Sequence, residues 1–345
     1  MPISRRSCIR KLPARSNRAR GGVAVLLTAL LCCAALLSLR YGSRDIPPAE
    51  LWEAFRRADP DDPAWRILLH VRIPRTLAGG LAGCALAMAG TLIQAVLNNA
   101  MASPNVIGVN AGAGFAAMLT AALAPAAGLI PLASFLGALA AALFIYTLAA
   151  RAGLSRTTLI LAGVAVSSML TAGTNALTLL YPDTAVGAAA FMLGGFSGVT
   201  LASVRAAGGY LAAGLLLAAL LAVDLDVLRL GEESAAGLGL HVDRTRFLAI
   251  LAAALLAGGA VSFSGLLGFV GLLVPHMARR LVGGDIPWLL PASALLGGSF
   301  VLLCDVAARL LFVPFELPVG IVMSLLGGPF FLYLLLHRKR SRMDA

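Results

Sequence analysis

The sequence predicts an all-α, polytopic membrane protein of about ten transmembrane helices, and three observations carry that expectation. From Thr76 to Ala150 the chain runs 75 residues without one Asp, Glu, Lys, Arg or His, far more apolar sequence than a soluble domain can bury. Hydrophobic residues make up 59% of the chain and charged ones 12%, and no segment has the composition of a separate globular module. The other apolar runs recur at lengths near the roughly 20 residues that a helix needs to cross a bilayer.

In order, the apolar runs place crossings at about 22–39, 76–97, 105–124, 129–150, 157–180, 207–223, 246–262, 266–282, 288–312 and 317–336. The first follows seven basic residues (Arg5, Arg6, Arg10, Lys11, Arg15, Arg18, Arg20) and meets Arg40 without a small-residue cleavage site. It therefore reads as a retained crossing rather than a cleaved signal. The uncharged stretch supplies three crossings, with turns near Asn98 to Pro104 and near Pro125 to Gly128. The run from Phe247 to Pro275 is too long for one span, and Ser262, Phe263, Ser264 and Gly265 supply the turn that splits it. Thr184 to Val204 is uncharged, yet Gly187, Gly194, Gly195 and Gly198 make it a poor continuous helix; a short external helix with a loop dipping toward the membrane is expected. The chain thus divides into a basic tail (1–21), a single membrane domain (22–337) and a second tail (338–345).

Orientation follows from the basic residues, because positively charged loops are retained in the cytoplasm. With both termini inside, eighteen Lys and Arg fall inside and nine outside. Seven of those nine are the arginines between Arg40 and Arg75, which ask for a separate explanation. The net charge of +11 sits at the ends of apolar runs, with no groove-like cluster and no interleaved aromatics, so nucleic acid is excluded as a partner. Small residues fill the runs (Gly79 and Gly83, Gly108 and Gly112, Gly265, Gly268 and Gly271) and predict closely packed helices.

The chemistry is read mostly from what is missing. Lys11 and Lys339 are the only lysines and both lie in the tails, so no glycine-rich loop can offer a nucleotide phosphate its lysine. No catalytic residue is assigned. An ion-driven carrier needs ionisable groups inside the membrane; Asp305 is the main exception, and its spacing from Arg309 reads as a structural pair on one helix face rather than a proton relay. His70, His241, His276 and His337 fall near span ends or in loops, and Cys8, Cys32, Cys33, Cys84 and Cys304 have neither ligand nor disulfide spacing and read as packing residues. No metal site and no cofactor is expected. A path without ligands suits a bulky solute whose charge is already masked. Two inner loops are polar: Gln94 to Asn110, and the longest, about 225–245, which reads as two short helices broken at glycine.

Several segments resemble one family. They are Arg72 to Ala78 (RIPRTLA), the run from Gly83 through Gly90 to Gln94, Asn105 to Gly114 (NVIGVNAGAG), Leu161 to Ala165, Leu193 to Gly198 (LGGFSG), Gly231 to Gly239, Gly268 to Arg279 (GFVGLLVPHMAR) and Glu316 to Gly320 (ELPVG). In this order, covering nearly everything after Arg72, they resemble the FecCD family of permeases. These are the membrane subunits of ATP-binding cassette (ABC) importers for iron siderophores, heme and cobalamin. The resemblance implies the type II ABC importer permease fold in a bacterial cytoplasmic membrane, with both termini inside. It also implies a second permease subunit, two cytoplasmic ATPase subunits and an external solute-binding protein as partners. Arg72, Arg75 and Arg309 match the family's binding-protein docking positions. Gly231 to Gly239 matches its coupling helices, with Glu232, Glu233, Ala236 and Gly239 as contacts to the ATPase, while Asn99 and Met101, with Ser155 and Thr157, match the inner gate region. One departure stands out: Ala100 occupies the place of the proline usual in Asn-Pro-Leu-Ala.

Overall fold

In a membrane the backbone can satisfy its N–H and C=O groups only within its own segment, so apolar runs become helices. A computed structural model of the chain describes residues 17–42, 47–57, 59, 61–124, 128–153, 155–313 and 315–343. In chain order the helices are α1 (Asn17–Arg40), α2 (Pro48–Arg57), α3 (Pro63–Ile67), α4 (Ile73–Val96), α5 (Val109–Leu123), α6 (Ile130–Arg151), α7 (Arg156–Leu180) and α8 (Pro182–Leu193). They continue as α9 (Leu201–Leu220), α10 (Ala222–Leu228), α11 (Glu232–Gly237), α12 (Val242–Ser264), α13 (Val270–Val282), α14 (Ile286–Leu310) and α15 (Val319–Met343). A π-helical turn, Leu68–Arg72, joins α3 to α4, and a 3-10 turn, Pro104–Ile107, precedes α5.

Seven of these helices are long and apolar enough to cross a membrane: α1, the continuous Pro63–Val96 rod containing α4, α6, α7, α9, α12 and α14. The shorter apolar α5 and the apolar part of α15 (Val319–Tyr333) lie where two more crossings are expected, and the 13-residue α13 lies at the place of the remaining one. The break expected at Ser262 to Gly265 falls later, because α12 stays helical through Ser264 and the irregular stretch runs from Gly265 to Phe269; the short helix expected between the fifth and sixth crossings is α8. Boundaries move where caps decide them. The sixth crossing starts at Leu201 rather than 207 because the Thr200 hydroxyl accepts from the Ser203 N–H and Ser203 returns the bond, a reciprocal cap. The first helix starts at Asn17 rather than 22, and α15 runs past 337 to Met343. Residues 1–16, with Cys8, and 125–127 of the second expected turn lie outside the described residues.

The interior is built on α4, α12 and α14. In their apolar windows 78%, 78% and 67% of residues are buried, against 17% in α1 and 22% in α7, which form the periphery. Burying leucine against lipid gains little, so the centre is closed by backbone contact through small residues. A Cβ on Gly83 of α4 would sit 2.2 Å from the carbonyl oxygen of Gly297 in α14, and one on Gly90 would sit 1.9 Å from that of Gly271 in α13. Cys304 is buried in this interior and Cys84 packs against Gly298 of α14, while Cys32 and Cys33 are exposed on peripheral α1.

The link between α12 and α13 is irregular. It adjoins α13, which with 13 residues is only about 20 Å long against the roughly 30 Å of a bilayer core. Its polar groups are answered by protein. Leu266 N–H donates to Phe191 O at 2.9 Å, Gly195 N–H to Ser264 O at 2.8 Å, and Asn110 Nδ2 to Leu267 O at 3.3 Å. Phe269 holds a left-handed φ of 63° there, its ring against Gly327 of α15.

Candidate functional site

Three features stand apart from packing: a charged cluster at one end, a polar face along α7, and a short broken helix at the opposite end.

The charged cluster gathers residues far apart in sequence. Arg72 closes the π-helical turn, and Arg75 follows in the first turn of α4. Both are buried, as is Arg309 near the end of α14, with exposures of 3%, 6% and 3%. The three docking candidates therefore come together, but inside the chain rather than on an open surface. Arg75 grips Asp305 through Nη2 at 2.9 Å and Nε at 3.1 Å, and reaches Glu316 through Nη1 at 2.6 Å. Arg309 Nη2 lies 2.9 Å from Asp305, the helical pair expected from the spacing, and Nη1 donates to the carbonyls of Ser38 and Tyr41. Arg72 donates to the carbonyls of Leu39 and Arg40 at 2.6 and 2.9 Å. Thus α1, α4 and α14 are tied at this end by guanidiniums. A cavity of about 230 Å³ opens beside them, lined by Gly42, Ile67, Val71, Arg72, Arg75, Arg309 and Glu316. Glu316 has no role in the sequence reading; its only signal was its place at the head of the Glu-Leu-Pro-Val-Gly segment.

On α7 the exposed positions Thr157, Leu161, Val164, Ser168, Thr171, Asn175 and Thr178 advance by four and three residues, so they share one helix face. From Ser168 onward every member is polar. Transferring a bare amide or hydroxyl into hydrocarbon costs roughly 2–7 kcal/mol, so Ser168, Thr171 and Asn175 suit lipid poorly, whereas Thr178 donates to Thr174 O at 2.9 Å and the neighbouring exposed Met169, Leu179 and Leu180 are apolar.

At the opposite end from the arginines, α10 and α11 meet at Gly231, whose φ of 111° breaks the helix. Ala235 anchors α11 inward, while Glu232, Glu233, Ala236 and Gly239 are exposed together with Leu230 and Leu238. Glu232 is not wholly outward-directed, because it pairs with Arg246 of α12; that hydrogen bond holds its carboxyl below the usual range against a smaller opposing effect of burial. Arg246 in turn lines a small crevice with Val96, Leu97, Tyr146, Ser155 and Arg156. The structure therefore brings Ser155 beside the end of α4 and one residue away from the α11 contact. Ser155 caps α7, accepting from the Thr158 N–H at 3.1 Å, while Thr157 is exposed. Asn99 and Met101 lie in the turn that follows Leu97. The Asn99 side chain accepts from the Met101 N–H at 3.0 Å, which fixes this turn although Ala100 replaces proline. Gln94, unassigned from sequence, ties the turn to α13: it donates to Ala102 O and Leu272 O at 3.3 Å and accepts from Arg279 at 3.1 Å. Among the described residues no three His, Cys, Asp or Glu side chains gather as a metal site.

An apolar helix whose exposed stripe turns polar from Ser168 on, with a crevice at its other end, suits a transport permease. Comparison supplies the particular family. The model of the FecCD transport family matches residues 29–337, and the chain belongs to that family. It is 37% identical to an iron(3+)-hydroxamate import system permease protein of Bacillus subtilis (strain 168), covering 94% of this chain and 86% of the relative. It is 34% identical to a hemin transport system permease protein of Yersinia pestis, covering 92% and 96%. A cobalamin import system permease protein of Halobacterium salinarum is 40% identical over 78% of this chain and 73% of its own length. Among solved structures, an inward-facing metal-chelate type ABC transporter superposes with a TM-score of 0.82 at 26% identity, over 92% of this chain and 99% of that one.

Proposed function

We propose that this chain is the permease subunit of an importer that takes a chelated iron compound, an iron-siderophore, from an extracytoplasmic binding protein and releases it into the cytoplasm. Two such subunits, paired with each other or with a related chain, enclose the path, and two separate ATPase subunits drive it. Both termini and the α11 loop face the cytoplasm of the bacterial inner membrane, and the arginine cluster faces outward. Arg72, Arg75 and Arg309 form the docking region. Glu233, Ala236 and Gly239 contact the ATPase with the exposed Leu230 and Leu238, while Glu232 braces the loop on Arg246. Asn99, Met101, Ser155 and Thr157 form the inner gate.

The observation that carries this reading is the uncovered polar face of α7. Ser168, Thr171 and Asn175 are exposed within a membrane-spanning helix, and a second subunit across a hydrated path would give them partners. The likeness to hydroxamate, hemin and cobalamin permeases supports a bulky chelate as cargo.

The test is reconstitution in liposomes with the ATPase and binding protein of the same transport system, followed by uptake of radioactive ferric hydroxamate, hemin and cobalamin. ATP-dependent accumulation of the ferric chelate alone is the expected result. Accumulation driven by an ion gradient without the ATPase would overturn the mechanism, and preference for hemin or cobalamin would overturn the cargo. Arg309→Glu is a poor docking probe, because it sets a second carboxylate against Asp305. Arg72→Gln is cleaner and is expected to weaken binding-protein capture while leaving ATPase assembly intact.

A further inference from the structure

The two carboxylates of the outer cluster are not equivalent. Asp305 is 1% exposed and is held by Arg75 and Arg309 at once, whereas the Glu316 side chain is 27% exposed and stands in the wall of the 230 Å³ cavity. Three guanidiniums thus face two acids, and the more accessible acid is an internal one in a cavity large enough for an acidic side chain from outside. Glu316 also belongs to a moving-part candidate. Ser197 donates to it at 3.4 Å, Gly320 N–H donates to Gly194 O at 3.1 Å, and Gly320 packs directly on Leu193 O. Residues 193–198 and 316–320 therefore form one packed unit, joining the ends of α8 and α15. The ion pair between Arg75 and Glu316 fastens this unit to the rigid α4, beside single backbone bonds from Gly195 N–H to Ser264 O of α12 and from Leu317 N–H to Ala308 O of α14.

We infer that Glu316 is a built-in competitor for the docking carboxylate: an acidic side chain of the binding protein takes its place on Arg75, and the freed Glu316 releases the 193–198 and 316–320 unit. This rests on the docking reading proposed above. It adds a link from docking to opening, since the same guanidinium serves both. Charge-assisted hydrogen bonds are the strong ones, so an incoming carboxylate of equal geometry can replace Glu316, which turns to solvent. Asp305 stays in place and keeps Arg75 oriented throughout.

The experiment uses the full chain in lipid nanodiscs with hexaglutamate as the carboxylate probe. Glu316→Gln keeps the size of the side chain and removes its charge. Fluorescence anisotropy is expected to show hexaglutamate binding to wild type and about tenfold more tightly to Glu316→Gln, the factor that one charge-assisted hydrogen bond supplies. Hydrogen exchange is expected to rise at the amides of Gly195 and Leu317, whose bonds cross from this unit to α12 and α14, in Glu316→Gln without peptide, and in wild type once peptide is added, with α4 unchanged. Equal affinity for both proteins would overturn the competition while sparing the docking reading. Binding to neither would overturn both, and unchanged exchange in Glu316→Gln would overturn the latch.

Discussion

Asp305→Asn removes the charge on which two buried guanidiniums depend, and the structure sets the scale of the loss. Arg75 and Arg309, 6% and 3% exposed, would be left with Arg72 around the single carboxylate of Glu316. Removing one partner of a buried pair costs about 3–5 kcal/mol. The lower end applies, because asparagine keeps an acceptor oxygen and Arg309 retains the carbonyls of Ser38 and Tyr41. A loss of about 3 kcal/mol is a large share of the ~5–15 kcal/mol typical of folded domains. At about 2 °C per kcal/mol it lowers the unfolding midpoint by about 6 °C. The assay is tryptophan fluorescence during heating in nanodiscs, run on Asp305→Asn, Arg309→Met and the double variant. Because Arg309 lies 2.9 Å from Asp305, the double variant should lose at least about 1 kcal/mol less than the two single losses added together. A midpoint within about 1 °C of wild type for Asp305→Asn, or strict additivity, would refute the reasoning.

Other predictions follow from contacts elsewhere. Gly90→Ala forces a Cβ onto the backbone of Gly271 and should cost at least about 1–3 kcal/mol, whereas Gly208→Ala in α9 meets nothing within 4 Å and should leave the unfolding midpoint unchanged or raised. Asn175→Leu, on the open face of α7, should lower uptake in proteoliposomes without lowering the unfolding midpoint; equal uptake would remove α7 from the path. The contact of Glu232 with Arg246 is present above the ordinary carboxylate pKa of about 4.3 and is lost as pH falls through the depressed folded value. Hydrogen exchange in α11, taken relative to the intrinsic amide rate at each pH, should therefore be slow and flat from about pH 8 to 5 and rise only in stronger acid. Glu232→Gln should raise it already at neutral pH.

Local signals made most of the fold legible. The uncharged stretch became α4, α5 and α6, Gly265 ended the first half of the long run, and Gly231 broke the inner loop, because each depends on composition or backbone freedom within a few residues. Helix starts were less legible, since the Thr200 and Ser203 cap moves a boundary without altering hydropathy. In the charged cluster only the Asp305 and Arg309 pair could be read, being four residues apart on one helix. Arg75 meets Asp305 across 230 residues and Glu316 across 241, and no periodicity encodes such a meeting. The left-handed Phe269 was equally hidden, because its strain is held by contacts from α15 rather than by its own residue type.

The cluster also accounts for part of the charge pattern that a topology count leaves awkward. Nine basic residues fall on the end read as outer, but the retention rule concerns charges in short loops that must be kept from crossing. Arg72, Arg75 and Arg309 are buried among the ends of α1, α4 and α14, and Arg57 pairs with Glu53 at 2.5 Å on α2. The three buried arginines do the work of helix ties there, each meeting a backbone carbonyl or a carboxylate. That use explains why arginine stands there rather than lysine: one planar fork can serve Asp305 and Glu316 together, or Asp305 and two carbonyls, while a point charge cannot. Arg75→Lys should accordingly destabilise the outer end although it conserves charge. A lysine variant with wild-type exchange at Gly195 and Gly320 would show that charge alone suffices.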